Sequence, residues 1–249
     1  MTSELPYEVS AALERIQAPS ALAREIPSDV TGELRRLLSW WFGVGGSAEP
    51  HPVIVEDDPA EWPTSADAMT AGVEAADRAV DEGATVLVPR VLHRNDVSAR
   101  TVIAVLTRAD SPALVPQPEG VSDAQWMTTV TAVRDKSFRA AEHRGEPVPL
   151  LDAAEARSVA FIVGVLLGSS ARETPCLIDG TDELAAALVA DRIHMTAKAW
   201  WRCGSQSTDP ARTAACERAD LDAGLPLGLT DDDGLGAEAS LALLRLLTS

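Results

Sequence analysis

Residues 174–192 read Thr-Pro-Cys-Leu-Ile-Asp-Gly-Thr-Asp-Glu-Leu-Ala-Ala-Ala-Leu-Val-Ala-Asp-Arg, and this stretch decides the fold. Cys176–Gly180 is a short apolar run closed by an acid and a glycine, as in a buried strand, and Thr181–Arg192 has the Ala/Leu pattern of a helix. The same alternation occurs earlier, where the amphipathic helix pattern Ser65–Glu82 stops at a glycine and the strand-like run Ala84–Pro89 follows. This alternation predicts an α/β fold with a doubly wound, mostly parallel, Rossmann-like sheet and right-handed crossovers.

Other patterns extend this alternation in both directions. Glu8–Trp41 has helical spacing interrupted by two prolines, which predicts two or three helices forming a small helical cap over residues 1–46. We expect residues 47–249 to form the α/β domain, which begins with a β-branched run at His51–Pro59 that suits a buried parallel strand. The remaining predicted elements are helices at Ser98–Leu106, Ser122–Arg144, Ala153–Ser170 and Gly234–Leu247, and a loop at Ser111–Gly120.

The composition indicates one sizeable core beneath a strongly acidic surface. The chain has 249 residues, is 46% hydrophobic, and carries 38 Asp and Glu against 21 Lys and Arg, for a net charge of -17. Such a charge repels both a nucleic-acid backbone and an anionic lipid surface. The longest apolar run, Val159–Gly168, is too short to span a bilayer, and the first nine residues lack a secretory-signal pattern. We therefore expect a cytoplasmic protein with no nucleic-acid or membrane partner.

The cysteines and histidines show no metal-ligand spacing. Cys176, Cys203 and Cys216 include no C-x-x-C pair, so we expect reduced thiols that pack as small hydrophobes. The histidines are His51, His93, His143 and His194, and they are scattered along the chain. We predict no metal site and no cofactor.

A series of short blocks follows in a definite order along the chain. The blocks are Gly32–Leu38, Val53–Asp57, Ala71–Asp77, Asp81–Ala84, Gly120–Trp126, Ala132–Asp135, Thr174–Gly180, Ala185–Ala190, Trp200–Trp201, Gly204–Pro210 and Gly234–Ala237. In order and spacing, this series resembles the nicotinate-nucleotide:dimethylbenzimidazole phosphoribosyltransferase family of cobalamin lower-ligand synthesis. The resemblance implies transfer of phosphoribose from nicotinate mononucleotide to dimethylbenzimidazole. It also implies a homodimer, or a heterodimer with an intact relative.

The resemblance assigns ligand-handling roles to several positions. Asp233 stands where relatives have the glutamate base, although an exposed acidic turn is the alternative interpretation. Arg90, Arg94 and Asn95 fall in the register of the phosphate loop; Asn95 matches the family, and the two arginines would bind phosphate or pair with the chain's own acids. Further matches to ligand-binding blocks are Asp179, Ser207, Gly234 and Gly236.

Several departures from the family pattern argue against the ordinary reaction. The loop glycines are replaced by larger residues, Asp233 is one methylene shorter than glutamate, and misplacing a base by about 1 Å can cost on the order of 10²-fold in rate. Thr129 replaces a lysine, Glu155-Ala156 replaces a paired-glycine turn, and the acceptor-pocket region between Asp58 and Met69 is reduced to a short linker.

Three hypotheses about function follow. The first is a divergent family member with lost or altered catalysis that binds a nucleotide-like ligand or a homologous partner. The second is an active phosphoribosyltransferase in which Asp233 acts as base and Arg90 or Arg94 holds phosphate. The third is a structural interaction module that uses the acidic surface and the tryptophans.

Overall fold

The computed structural model describes residues 5–20, 24–46, 49–57, 62–92, 94–117, 119–229 and 234–249. Within these ranges the helices are α1 (Tyr7–Leu13), α2 (Gly32–Gly43), α3 (Ser65–Asp81), α4 (Asp96–Thr107), α5 (Ser111–Leu114), α6 (Asp123–Ala140), α7 (Pro147–Ala153), α8 (Arg157–Ala171), α9 (Thr181–Ile193), α10 (Pro210–Ala219) and α11 (Leu235–Thr248). The strands are β1 (Pro52–Glu56), β2 (Val86–Arg90), β3 (Cys176–Ile178), β4 (Trp201–Cys203), β5 (Ser205–Ser207) and β6 (Leu225–Leu229). Short 3-10 helices cover Ala141–His143 and Met195–Trp200.

The central sheet is parallel throughout. Its strand order is β1-β2-β3-β4, so consecutive crossovers advance in one direction across the sheet. The predicted α/β class with a parallel, Rossmann-like sheet is therefore confirmed. Strands β5 and β6 form a separate parallel pair after the central sheet. Because all four central strands run the same way, their carboxyl ends meet at one edge, where ligands bind in open α/β sheets.

Helix α8 runs through the core, and α3 packs directly against it. Every residue of α8 from Ser158 to Ala171 is buried, which explains the long apolar run in the sequence. A Cβ atom built on Gly72 of α3 would lie 2.0 Å from the carbonyl oxygen of Phe161, and one built on Gly164 would lie 2.0 Å from that of Met69. The two helix backbones are therefore in contact, and neither glycine can carry a side chain without moving a helix.

The two N-terminal helices join the same hydrophobic core. Val9 and Ala12 of α1 are fully buried, and so are Leu37, Leu38 and Trp41 of α2. Their spacing places each apolar set on one face of its helix. Among the described residues, no helix is both long and apolar enough to cross a membrane.

Two predicted elements differ from the observed ones. The segment predicted as a loop from Ser111 begins with α5, because a proline in the first helical turn loses no intrahelical hydrogen bond. The first strand was expected to be buried, but within the described ranges β1 is an edge strand that pairs with β2 alone, and Ile54 is 45% exposed.

Two helix boundaries also differ. The helix predicted to reach Arg144 ends at Ala140 and continues as a 3-10 turn. The helix predicted from Ala153 begins at Arg157, because Glu155 adopts a left-handed conformation with φ 51° that separates α7 from α8.

Candidate functional site

The candidate site lies at the carboxyl edge of the central sheet. We use the name carboxyl-edge site for Asp57, Arg90 to Leu92, Asp179 and Glu183, which lie at or just after the ends of β1, β2 and β3. Hydrogen bonds between residues far apart in the sequence hold these segments together. The site therefore depends on the whole fold rather than on one local motif.

Asp179 links four segments of the chain. Its carboxylate is almost completely buried and forms a buried ion pair with Arg212 of α10. The same carboxylate accepts a hydrogen bond from the hydroxyl of Ser205 in β5 at 3.1 Å and one from the backbone N–H of Gly236 in α11 at 2.7 Å. A buried charge needs such partners, because an unpaired one costs several kcal/mol. Both carboxylate oxygens of Asp179 are thus engaged within the protein.

Gly236 fits this network because it lacks a side chain. A Cβ atom at this position would lie 2.3 Å from the Ser205 hydroxyl oxygen and 2.7 Å from Oδ2 of Asp179. Both distances are far below van der Waals contact, so only glycine lets the first turn of α11 reach the carboxylate. Two predicted ligand positions, Asp179 and Gly236, are therefore in direct contact.

Arg90 and Gly234 are also brought together. The Nη2 atom of Arg90 donates to Oε1 of Glu238 at 2.8 Å, and its guanidinium lies 3.1 Å from where a Cβ of Gly234 would be. Gly234 has φ 83°, in the left-handed region that favours glycine, and it caps α11. Since Glu238 is about half exposed, the ion pair contributes little stability, and an incoming anion could compete for Arg90.

The backbone amides that follow β2 are occupied by carboxylates of the chain itself. The N–H of Val91 donates to Oε1 of Glu183 at 3.2 Å, and the N–H of Leu92 donates to Oδ1 of Asp57 at 2.6 Å. Glu183 is 1% exposed and Asp57 is 2% exposed. The second oxygen of each carboxylate is buried and has no hydrogen-bond partner among the described residues. Both amides belong to the segment from Arg90 to Asn95 for which the sequence resemblance predicts a phosphate loop.

Two acids in the first turn of α9, Asp182 and Glu183, are hard to ionise because they are buried. Burial raises the pKa of Glu183 to about 7, against the opposing effects of its amide hydrogen bonds and of the charge on Arg94. Burial also raises the pKa of Asp182 well above its ordinary range, and the neighbouring Glu183 adds to that rise. Near neutral pH Glu183 is therefore only partly ionised.

Arg94, Asn95 and Ser207 lie around this centre. Arg94 is exposed, and its positive charge lowers the pKa of both Asp182 and Glu183. Asn95 caps α4 by accepting the N–H of Ser98 at 3.2 Å, and Ser207 accepts the N–H of the residue two positions later in the turn before α10. Asn95 and Ser207 therefore hold local backbone turns, as these residue types commonly do.

The candidate base Asp233 lies outside the described residues, and so does His93. Within the described ranges, no three acidic, histidine or cysteine side chains are arranged to hold a metal ion.

Sequence reasoning missed the two acids that occupy the amides. Asp57 belongs to a block that was noted only as a strand, and Glu183 was taken only as part of a helix pattern. Their position in the sequence could have found them. One acid directly follows β1 and the other lies in the first turn of α9, and both places are at the carboxyl ends of the strands, where parallel sheets bind ligands.

A small pocket adjoins the site on the side of β5 and α10. Its volume is about 210 Å³. Its lining includes Ser205, Ser207, Arg212, Thr213 and Cys216. Ser205 and Arg212 belong also to the network around Asp179, so the pocket and the carboxyl-edge site share a wall.

Comparison with known proteins now assigns the chain to a family. A family model described as phosphoribosyltransferase matches residues 61–248. The nicotinate-nucleotide--dimethylbenzimidazole phosphoribosyltransferase of Mycobacterium ulcerans is 35% identical over 193 residues, which are 77% of this chain and 54% of that protein. The chain belongs to this phosphoribosyltransferase family. The enzyme of the same name from Mycobacterium tuberculosis is 36% identical over 193 residues, again 77% of this chain and 54% of that protein.

Solved structures of the family agree on the fold. CobT from Thermus thermophilus superposes with a TM-score of 0.76 at 18% identity, and the match covers 97% of this chain and 94% of that chain. A second Thermus thermophilus structure, of a nicotinate-nucleotide-dimethylbenzimidazole phosphoribosyltransferase, also gives a TM-score of 0.76, at 19% identity. The chain nevertheless spans about half the length of the curated relatives that it matches.

Proposed function

We propose that this chain is an altered member of the family that does not carry out the ordinary phosphoribosyl transfer and acts by binding a nucleotide-like ligand at the carboxyl-edge site. The observation that supports the proposal most directly is the pairing of the Val91 and Leu92 amides with Glu183 and Asp57. In a phosphate-binding loop such amides face the anion of the ligand. Here the protein's own carboxylates stand in for that anion.

The charge of the site supports the same conclusion. Asp57 and Glu183 are buried beside these amides, and their negative charges add to the rise that burial causes in the pKa of Asp182. A ligand phosphate would have to displace a carboxylate from its amide and then remain near the others. Two unit charges about 8 Å apart at an effective dielectric constant of about 20 repel by about 2 kcal/mol. The site therefore favours a ligand that lacks the phosphate dianion.

The class of ligand that avoids this repulsion is the unphosphorylated nucleoside. A nicotinate riboside has the base and the sugar of the family's donor without the 5′-phosphate, so it avoids the repulsion. Arg90 supplies a cation at the rim whose present partner, Glu238, is easily displaced because it is half exposed. A carboxylate on the base of the ligand could take the place of Glu238 at Arg90.

Calorimetry with two ligands tests the proposal. At pH 8, where Glu183 is mostly ionised, we expect the full chain to bind nicotinate riboside at least tenfold more tightly than nicotinate mononucleotide, because the phosphate incurs the repulsion calculated above. Glu183→Gln keeps an oxygen to accept the Val91 amide but removes a charge, so it should strengthen mononucleotide binding about tenfold. Glu82→Gln is the matched control, because Glu82 is exposed and precedes β2, at the opposite edge of the sheet.

A turnover assay completes the test. We expect no riboside phosphate product when the full chain is incubated with nicotinate mononucleotide and dimethylbenzimidazole and the mixture is separated by chromatography. Turnover that Asp233→Asn abolishes would overturn the proposal and establish an active transferase. Failure to bind either ligand would overturn it in favour of an interaction module.

A further inference from the structure

Cys203 and Cys216 form a close pair of thiols outside the roles described above. Cys203 ends β4 and Cys216 lies in α10, and their Sγ atoms are 3.1 Å apart. Both are free cysteines in the structure. A disulfide bond needs the sulfurs at about 2.05 Å, so a movement of about 1 Å would bring them into bonding distance.

One member of the pair is accessible and the other is not. Cys216 is partly exposed and lines the pocket of about 210 Å³ beside β5, whereas Cys203 is buried beneath it. A small oxidant that enters the pocket would meet Cys216 first. The buried Cys203 would then lie directly behind it to complete a bond.

The surroundings of the pair favour ionisation of Cys216. A hydrogen bond from the Cys203 thiol lowers the pKa of Cys216, and the charge of Arg212, one helical turn earlier in α10, lowers it further against the effect of burial. The same hydrogen bond and burial raise the pKa of Cys203 well above its ordinary value. Cys216 is thus the attacking sulfur and Cys203 the resolving one.

Cys176 shows the opposite environment. It lies in β3, is fully buried, and donates to the hydroxyl of Ser169 at 3.1 Å. Burial raises the pKa of the Cys176 thiol to about 12. Because the thiolate is the reactive form, Cys176 should be inert, and it serves as an internal control.

We propose that Cys203 and Cys216 form a peroxide-sensitive modification site that closes to an intramolecular disulfide. The Cys216 thiolate attacks one oxygen of hydrogen peroxide, the S–O bond forms and the O–O bond breaks; the leaving hydroxide takes up the proton that the Cys216 thiol released on ionising and becomes water. The Cys203 thiol then attacks the sulfenic sulfur of Cys216, the S–S bond forms, the S–O bond breaks, and a second water leaves. Two thiols are oxidised by two electrons, and one peroxide is reduced to two waters.

The disulfide bond would connect the central sheet to α10, the helix that carries the ion-pair partner of Asp179. Residue Arg212, which forms the buried ion pair with Asp179, lies four residues before Cys216 on the same helix. Oxidation therefore ties α10 covalently to β4 next to the carboxyl-edge site, and reduction releases it. This inference does not depend on the ligand proposed above, because its readout is the state of the thiols.

Peroxide titration of the full chain, followed by denaturing alkylation and peptide mass spectrometry, tests the inference. We expect wild type to lose two of its three alkylatable thiols, to yield a linked peptide containing Cys203 and Cys216, and to recover both thiols on treatment with dithiothreitol. Cys203→Ser should stop at a sulfenic acid on Cys216 that dimedone traps. Cys176→Ser should behave as wild type.

A second measurement keeps the test independent of how well the variants fold. In native wild type, alkylation of Cys216 should be faster than that of Cys176 on the order of 10²-fold or more, because Cys216 is partly exposed and has a lowered pKa, whereas Cys176 is buried and has a pKa of about 12. Loss of no thiols, a link that includes Cys176, or disulfides between chains only would each overturn the inference. So would equal alkylation rates for Cys216 and Cys176.

Discussion

Replacing Glu183 by glutamine should change how the stability of the protein depends on pH. The pKa of Glu183 rises from its ordinary value of 4.5 to about 7 in the folded chain, mainly because the side chain is buried. Between these values the folded protein binds more protons than the unfolded one, so its stability falls as the pH rises. The contribution is fully present below pH 4.5 and is lost as the pH rises through about 7.

The size of the effect follows from the same two values. A tenfold change in an acid constant is about 1.4 kcal/mol, so the rise from 4.5 to about 7 corresponds to about 3 kcal/mol. Glutamine avoids this cost because it carries no charge, although its amide group introduces a buried donor at the position of an oxygen that has no partner among the described residues. An unsatisfied donor costs about 1–3 kcal/mol. We therefore expect Glu183→Gln to be more stable than wild type by about 1–2 kcal/mol at pH 8.

Urea unfolding followed by circular dichroism between pH 5 and pH 8 checks this prediction. The free energy of unfolding of Glu183→Gln minus that of wild type should increase by about 2–3 kcal/mol from pH 5 to pH 8, because part of the full effect is already expressed at pH 5. Because the charge of Glu183 also raises the pKa of Asp182, the difference reports on both acids. A difference that stays constant with pH would refute the reasoning, since it would mean that Glu183 ionises normally. Glu82→Gln should show such a constant difference.

Three further substitutions test the packing of the site and the core, each by the free energy of unfolding in urea. Gly236→Ala should cost about 2–3 kcal/mol, because its Cβ would collide with Ser205 and Asp179. Arg212→Met should cost about 3–5 kcal/mol, because it leaves the buried Asp179 carboxylate without its ion-pair partner. Gly72→Ala should cost at least about 2 kcal/mol, because its Cβ would press into the backbone of α8.

Matched controls separate these effects from the substitution itself. Gly145→Ala should change stability by less than about 1 kcal/mol, because a Cβ there meets nothing within 4 Å. Arg134→Met should cost less than about 1 kcal/mol, because its pair with Asp135 is exposed. If alanine at Gly236 or Gly72 is tolerated as well as alanine at Gly145, the close contact described at that glycine does not exist. If methionine at Arg212 is tolerated as well as methionine at Arg134, the buried ion pair with Asp179 does not stabilise the fold.

The elements of the fold were largely predictable because they depend on local patterns. The helix pattern from Ser65 stops at a glycine, and the predicted helix from Thr181 begins at that residue in the structure. The ordered blocks likewise indicated the family. The α5 turn was missed because prolines were taken to indicate a loop, although proline fits the first turn of a helix.

The contacts of the site were not predictable, because they join residues far apart in the sequence. The Val91 amide and the Glu183 carboxylate are 92 residues apart, and Arg212 and Asp179 are 33 apart. No local pattern encodes which buried acid meets which donor. The periodicity of apolar residues indicates whether a side chain is buried and which way it points. Its hydrogen-bond or ion-pair partner depends on how whole helices and strands pack.

The contact between α3 and α8 also bears on how fast the chain can fold. Gly72 and Gly164 lie on helices that are neighbours in space but are separated by a long stretch of sequence that includes β2 and α4 to α7. Closing a flexible loop of roughly 90 residues costs about 4 kcal/mol of chain entropy before any contact compensates it. Each helix can form early from local interactions, but their docking must wait for this closure. We expect formation of the glycine contact to limit the folding rate, in addition to stabilising the native state.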